Sequence, residues 1–175
     1  MITFISLKST ICGKYQTVCS NVPDTLLGII KCNTLVSCLI VVAFTLIGQQ
    51  VRACSINVIE VNFGSYDVFS NTALNSTGKI DVNCPSGVGY TIGLSAGSGI
   101  FTQRVMRNGA HSLNYNFFTA ANRVLVWGDA SNGSVTVSGS SAGETINHVV
   151  YGRIPPHQNV HSGSYSDTIT VMITF

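Results

Sequence analysis

The chain has 175 residues, enough for one domain with a substantial core, and only 9% of them are charged while 45% are hydrophobic. So little charge is atypical of a freely soluble cytosolic enzyme. The sequence also contains no basic patch, which argues against nucleic acid as a partner.

An uncharged apolar stretch, TLVSCLIVVAFTLIG at 34–48, follows Lys31 and precedes the small residues Val51 and Ala53. This order predicts a secretory signal peptide over 31–53, cleaved between Ala53 and Cys54. A transmembrane anchor is the alternative interpretation. A stable span usually takes about 20 apolar residues, so we expect no stable membrane anchor after processing.

The first thirty residues fit this signal poorly, since a secretory signal would begin only a few residues before Lys31. We therefore interpret 1–30 as an uncertain extension that precedes the true start of translation. No Met occurs between Met1 and Met106, so this hypothesis requires an alternative initiation codon. A peptide covering 2–14, recovered from the unprocessed precursor, would contradict it.

Cleavage after Ala53 leaves a mature domain of 54–175, with five Lys and Arg residues against six Asp and Glu residues. Two of the six cysteines, Cys54 and Cys84, remain in it. Two cysteines exported together are most simply one disulfide. The alternative is a lipid-modified Cys54, but Arg52 is a poor residue before such a site and Cys84 would be left unpaired.

The mature domain is a series of short alternating runs separated by Gly, Asn, Ser and Pro, with no helical period. This pattern predicts seven or eight strands in one all-β domain, a Greek-key sandwich or small barrel with Trp127 in its core or at a strand edge. The predicted strands are 56–63 with a bulge at Ile59-Glu60, then 80–84, 90–94, 113–117, 124–127, 135–137, 146–151 and a terminal strand from Ile169.

The terminal strand is the most informative of these runs. Ile169, Val171, Ile173 and Phe175 alternate with polar residues and Met172 up to the last residue of the sequence. A strand this apolar needs a partner along its edge.

Motifs that suggest catalysis are weak. Gly93-Leu-Ser95-Ala-Gly97 matches the nucleophile elbow of hydrolases, but a glycine-rich loop follows it where that motif needs a helix. His157 and His161 have the spacing of two metal ligands, without cysteines or clustered carboxylates to complete a site. The carboxylates are scattered singly, so we expect no enzyme, no metal site and no cofactor.

The mature sequence resembles the spore coat protein U domain family, which includes subunits of the archaic chaperone–usher pili of Gram-negative bacteria. The resemblance covers 54–175. It is carried by the first cysteine, by Met106, and by five segments: TGKIDVNC at 77–84, LNYNF at 113–117, VWGD at 126–129, YGRIP at 151–155 and GSYSDTITVMITF at 163–175.

The resemblance implies an immunoglobulin-like sandwich that lacks its last strand and is completed by a donated one. In this family a periplasmic chaperone lends that strand first, and a neighbouring subunit replaces it at the outer-membrane usher. Alternate pockets lined by Ile169, Val171, Ile173 and Phe175 would receive the apolar side chains of the donor. By similarity, the carboxylate of Phe175 would be held by basic residues of the chaperone.

One departure from the family pattern concerns the donor segment. Cleavage after Ala53 leaves no stretch ahead of Cys54 to donate to another subunit. We therefore expect a secreted tip or end subunit of an adhesive surface pilus, which accepts a strand without giving one.

Two other functions remain open from the sequence. One is a spore-coat or surface-binding protein that does not polymerise and has a self-complete sandwich. The other is a carbohydrate-binding module, for which Tyr66, Phe69 and Phe101 are the loop aromatics that could supply a sugar platform.

Overall fold

The computed structural model describes residues 3–11 and 54–175, which belong to one compact unit. The predicted signal peptide over 31–53, with the cleavage residue Ala53, and the remainder of 1–30 lie outside the described residues. Within the described part there is no helix long and apolar enough to cross a membrane.

Ten strands make up this part of the chain, which is all-β as predicted. They are β1 Thr3–Ile11, β2 Ser55–Ile59, β3 Asn62–Gly64, β4 Leu74–Asn83, β5 Gly89–Leu94, β6 Arg104–Asn108, β7 His111–Phe118, β8 Val137–Ser140, β9 Thr145–Ile154 and β10 Tyr165–Thr174.

The strands form a two-layered β-sandwich, the all-β architecture predicted from the sequence. One layer has the order β2-β4-β9-β7, and the other has the order β8-β5-β10-β1-β3. Strand β6 pairs with both β7 and β10 and so joins the two layers along one side. Every pairing is antiparallel except that of β1 with β10.

The core lies between the layers and is built from alternate residues of the long strands. On β4, Ile80 and Val82 are fully buried, as are Ile169 and Val171 on β10. Trp127 lies among them with 1% of its surface exposed, and its indole N–H donates to the carbonyl of Ile92 at 3.0 Å. The expected core position of this tryptophan is therefore correct.

The chain changes layer between β2 and β3, where the sequence predicts a bulge. Instead of a bulge, pairing stops after Ile59 and resumes at Asn62, because β2 belongs beside β4 while β3 belongs beside β1. Two glycines permit this close crossing. A β-carbon at Gly78 would lie 2.6 Å from the carbonyl oxygen of Ile59, and one at Gly152 would lie 2.7 Å from the Phe63 ring.

Three strand assignments from the sequence were wrong. The predicted strand at 135–137 is displaced, because β8 begins only at Val137. Strand β6 was missed, because Arg104 interrupts its apolar alternation. The predicted strand at 124–127 is a loop with single bridges to neighbouring strands, and Val124 and Leu125 in it are 70% and 54% exposed. The Thr119 N–H donates to the Leu125 carbonyl and the Trp127 N–H donates to the Phe117 carbonyl, so two hydrogen bonds hold this loop against the end of β7.

A disulfide joins Cys54 to Cys84, thirty residues apart, and ties the start of β2 to the end of β4. Cys84 is buried and Cys54 packs against the core. The bond therefore closes the loop that contains the crossing between layers.

We predict that replacing both cysteines by alanine lowers the free energy of unfolding by about 3 to 4 kcal/mol, since the open chain regains the entropy of a thirty-residue loop. Urea unfolding of the oxidised protein and of the Cys54→Ala/Cys84→Ala variant measures this difference. Equal midpoints with equal slopes would contradict it.

A polar contact links the two layers near β8. The Tyr90 hydroxyl lies 2.8 Å from Nε2 of His148, and the two rings meet edge to face. Burial lowers the pKa of His148 from its ordinary value of 6.5. The folded protein therefore favours the neutral imidazole, whose Nε2 can accept a hydrogen bond from the Tyr90 hydroxyl.

Because the folded pKa of His148 lies below the unfolded one, the unfolded chain binds more protons as the pH falls below about 6.5. We expect stability to be lost over that range and the loss to be smaller in a His148→Gln variant. Thermal midpoints at pH 7 and pH 5 test this, and the other histidines are the same in both proteins. An identical acid loss in both would show that His148 has no such role.

Candidate functional site at the edge of the last strand

Strand β10 has two edges, and they are satisfied in different ways. Along one edge it pairs with β5, from Val171 opposite Leu94 to Thr174 opposite Thr91, and with β6 at Ser166. Along the other edge it pairs with β1 alone. Strands β5 and β6 of the sandwich therefore satisfy the first edge, which we call the built edge. A segment that is distant in sequence satisfies the second edge.

The predicted groove residues lie on the inward face of β10. Ile169, Val171 and Ile173 are at most 1% exposed, and Phe175, just beyond the strand, is half-buried against the core. Ser166, Thr168 and Thr174 on the opposite face are exposed. The alternation read from the sequence thus separates the two faces of the strand.

A carboxylate interrupts the apolar row at its beginning. Asp167 is 5% exposed and accepts hydrogen bonds from the Tyr115 hydroxyl at 2.7 Å, the Ser98 hydroxyl at 2.8 Å and the Ser98 N–H at 3.1 Å. The Thr168 N–H also donates to it at 2.9 Å. Burial, together with this carboxylate, raises the pKa of Tyr115 far above its ordinary value, so the phenol remains a donor.

A buried arginine, Arg104, forms hydrogen bonds with the loop after β5, whose Ser98 contacts Asp167. The Arg104 guanidinium, with no exposed surface, donates to the carbonyls of Ser95 and Trp127 and to the side-chain oxygen of Asn116, over 2.7 to 3.1 Å. Burial lowers its pKa to about 10, which leaves it charged at neutral pH. It also lies over the rings of Phe101 and Phe117.

The same loop is bonded directly to β10. Ser95 donates its N–H to the Thr170 carbonyl and accepts the Thr170 N–H on its hydroxyl, both at 2.9 Å. Gly97 has φ +64°, and a β-carbon there would collide with the Asp167 carboxylate. These contacts fix the built edge of β10.

The other edge of β10 faces a slot one strand wide. Strand β3 lies on the far side of this slot, and β1 fills it by pairing with β10 from Thr3 opposite Tyr165 to Ile11 opposite Ile173. Near its start β1 also pairs with β3, through Thr3 opposite Gly64 and Phe4 opposite Asn62. The geometry is therefore that of a site for one extended backbone between two strand edges.

The residues of the hydrolase-like motif and of the histidine pair make structural contacts. The hydroxyl of Ser95 is bonded to backbone, as described above. His161 stacks on His111, with ring centroids 4.0 Å apart, instead of joining His157. No three His, Cys, Asp or Glu side chains in the described ranges are grouped to hold a metal ion.

The aromatic platform considered for carbohydrate binding is not formed. Tyr66 is 5% exposed and bonds through its hydroxyl to Pro155, and Phe101 is 8% exposed, whereas Phe69 is 88% exposed. A sugar would therefore meet only one of the three rings.

Sequence reasoning missed Asp167, Arg104 and Tyr115. The signal for Asp167 was present, since it has the same parity as Ile169 and Val171 in an apolar row. A carboxylate in that row must be paired or bonded when it is buried. Apart from its neighbour Thr168, its partners Tyr115 and Ser98 come from two distant segments, so the sequence does not indicate them.

We predict that Tyr115→Phe lowers the free energy of unfolding by about 1 to 3 kcal/mol, because a buried carboxylate loses a donor. Tyr151→Phe, on a half-buried outward tyrosine, is the matched control and should change stability by less than about 0.5 kcal/mol. Urea unfolding of both variants measures the difference. Equal effects of the two substitutions would argue against a stabilising role for the Tyr115–Asp167 bond.

Comparison with known proteins places these features in a family. The family model of the spore coat protein U domain matches residues 40–172. Protein U of Myxococcus xanthus is 34% identical over 131 residues, which cover 66% of this chain and 71% of the relative.

Two solved structures of pilus proteins are similar at lower identity. One is a chain of the CsuC–CsuE chaperone–tip adhesion subunit pre-assembly complex from archaic chaperone-usher Csu pili of Acinetobacter baumannii, with 18% identity and a TM-score of 0.49 over 70% of this chain and 40% of that chain. The other is HdaB, the minor tip subunit of the E. coli Hda pilus, with 15% identity and a TM-score of 0.36 over 68% of this chain and 79% of that one. This chain thus spans less than half of the first solved chain.

The match to the family model covers most of the chain, and the curated relative exceeds 30% identity over more than two thirds of its own length. The chain therefore belongs to the spore coat protein U domain family.

Proposed function

We propose that this protein is a secreted structural subunit of a surface adhesive pilus, exported through the periplasm of a Gram-negative bacterium. It accepts a donated strand along the edge of β10 that faces the slot, and it occupies the tip or an end of the fibre. Its partners are a periplasmic chaperone, an outer-membrane usher and a neighbouring subunit. The role is structural and requires neither catalysis nor a cofactor.

The observation that carries the proposal is the slot between β10 and β3. The body of the domain supplies both walls of this slot, while the strand inside it comes from beyond a gap of more than forty residues in sequence. Main-chain bonds to two edges supply affinity for an extended backbone, and the adjoining core supplies pockets for alternate side chains. Family membership supports the same role.

The end position rests on the predicted processing. Cleavage between Ala53 and Cys54 leaves no residues ahead of the first cysteine that could reach a neighbour's slot. A donated strand must run along the length of the slot, which takes an extension of about ten or more residues. A subunit processed in this way receives a strand and ends the fibre.

The second candidate is a coat or surface-binding protein whose sandwich is completed within its own chain. The pairing of β1 with β10 favours it, because the slot is filled without any partner. The two candidates differ in what fills the slot: a partner's strand in the pilus subunit, and a segment of the same chain in the coat or surface-binding protein.

We expect residues 54–175, produced oxidised, to unfold at a much lower temperature alone than with a fused donor strand of alternating apolar residues. Burying three apolar donor side chains contributes about 2 kcal/mol each, so the midpoint should rise by on the order of 15 to 25 °C. Circular dichroism during heating measures both midpoints.

A donor of the same length, with its alternate apolar residues changed to aspartate, is the matched control and should give no rise. Equal stability with and without the apolar donor would show a complete fold and favour the coat or surface-binding protein.

A further inference from the structure

A cleft of about 350 Å³ opens where the end of β7 pairs with β9, and its lining residues lie between 102 and 158, outside β3 and β10. Its volume is within the range of about 300 to 1,000 Å³ that small-ligand sites occupy. We propose that this cleft binds one hexuronate unit of an acidic saccharide, with the sugar carboxylate on Arg153. The inference goes beyond the proposed function, because it does not depend on what fills the slot.

The charge of the cleft comes from Arg153, the one charged side chain among its lining residues. Its Nε donates to the side-chain oxygen of Asn75, its register partner on β4, at 3.1 Å. No salt bridge described within residues 54–175 involves this arginine. Because Nε is already bonded, the two terminal nitrogens remain, and their N–H groups match the two oxygens of a carboxylate. The cleft therefore favours a carboxylate anion.

Two side-chain amides hold the polar part of the cleft in place. Gln158 accepts the backbone N–H of Asn114 at 2.7 Å and donates to the Asn114 carbonyl at 2.9 Å. Asn116, 8% exposed, accepts from Arg104 at 2.7 Å and donates to the Phe101 carbonyl at 2.8 Å. These bonds fix β7 before a ligand arrives, so binding has few side chains to order.

The cleft combines apolar side chains with groups that pair with hydroxyls. Phe118 and Val126 are half-buried and face each other in a single bridge between β7 and the loop that follows it. The side chains of Thr102, Gln103 and Asn114 add a hydroxyl and two amides, which both donate and accept hydrogen bonds. A sugar ring has C–H groups on its faces and hydroxyls around its rim, so it suits this combination. The loop aromatics considered above for a sugar platform do not line the cleft.

The first test uses the unaltered full chain with the Cys54–Cys84 disulfide formed. Sodium glucuronate is the probe. Glucose and sodium acetate are the matched controls, because glucose lacks the carboxylate and acetate lacks the sugar ring. All three titrations are kept at one ionic strength with sodium chloride, so that screening of charges is equal. Two-dimensional amide NMR spectra give each dissociation constant.

We expect glucuronate to shift amide signals of β7 and β9 and to bind at least about tenfold more tightly than either control, since it alone engages both parts of the cleft. Acetate that binds as tightly as glucuronate would show a bare anion site and overturn the saccharide. Glucose that binds as tightly would overturn the role of Arg153. Unchanged spectra up to about 10 mM glucuronate would overturn the cleft as a binding site.

The second test compares two substitutions that each remove one positive charge. Arg153→Gln removes the charge inside the cleft, and Arg107→Gln is the matched control, since Arg107 is exposed on β6 and does not line the cleft. We expect the first to weaken glucuronate binding at least about tenfold and the second less than about twofold. Equal weakening would indicate general charge attraction and overturn the proposal. Thermal unfolding shows whether each variant is folded, and the comparison of ligands needs neither.

These tests can fail separately from the test of the proposed function. The donor-strand comparison reports on the edge of β10, whereas glucuronate binding reports on the cleft between β7 and β9. A domain stabilised by the donor strand that binds no glucuronate would keep the pilus role and lose the saccharide site. A domain that binds glucuronate and gains nothing from the donor would support the saccharide site and favour the coat or surface-binding protein.

Discussion

Strand β10 is buried on one face, and within residues 54–175 it is bonded along only one edge. Its inward row, with Ile169 and Val171, lies in the core, and β5 and β6 satisfy one edge. The other edge would expose a line of backbone donors and acceptors beside apolar pockets. The site and its occupant both follow from this imbalance.

Hydrogen bonds to two buried charged side chains, Asp167 and Arg104, hold the built edge of β10. Asp167 and Arg104 do not contact each other directly; each is satisfied through the loop after β5, which carries Ser95 and Ser98. A buried charge without such partners would cost more than most single contacts contribute. The network therefore fixes the first half of β10 against the loop after β5.

Occupancy of the slot distinguishes the possible functions. Filled from within the chain, the domain is complete and resembles a free-standing surface protein. Filled from a partner, it becomes a unit of an assembly. The strand that lies in the slot here, Thr3–Ile11, is separated from the domain by more than forty residues, so what fills the slot decides between the two proposed roles.

The sequence by itself determined the all-β class, the core place of Trp127 and the two faces of the last strand, because period-2 alternation is a local property of the chain. It did not predict β6, the loop at Val124 or the change of layer after Ile59, since these depend on bonds to distant segments. Only the tertiary structure decided that Asp167 has four hydrogen-bond donors and that the slot lies between β10 and β3. Strand pairing across more than a hundred residues is set by register and packing, which leave no local mark on the sequence.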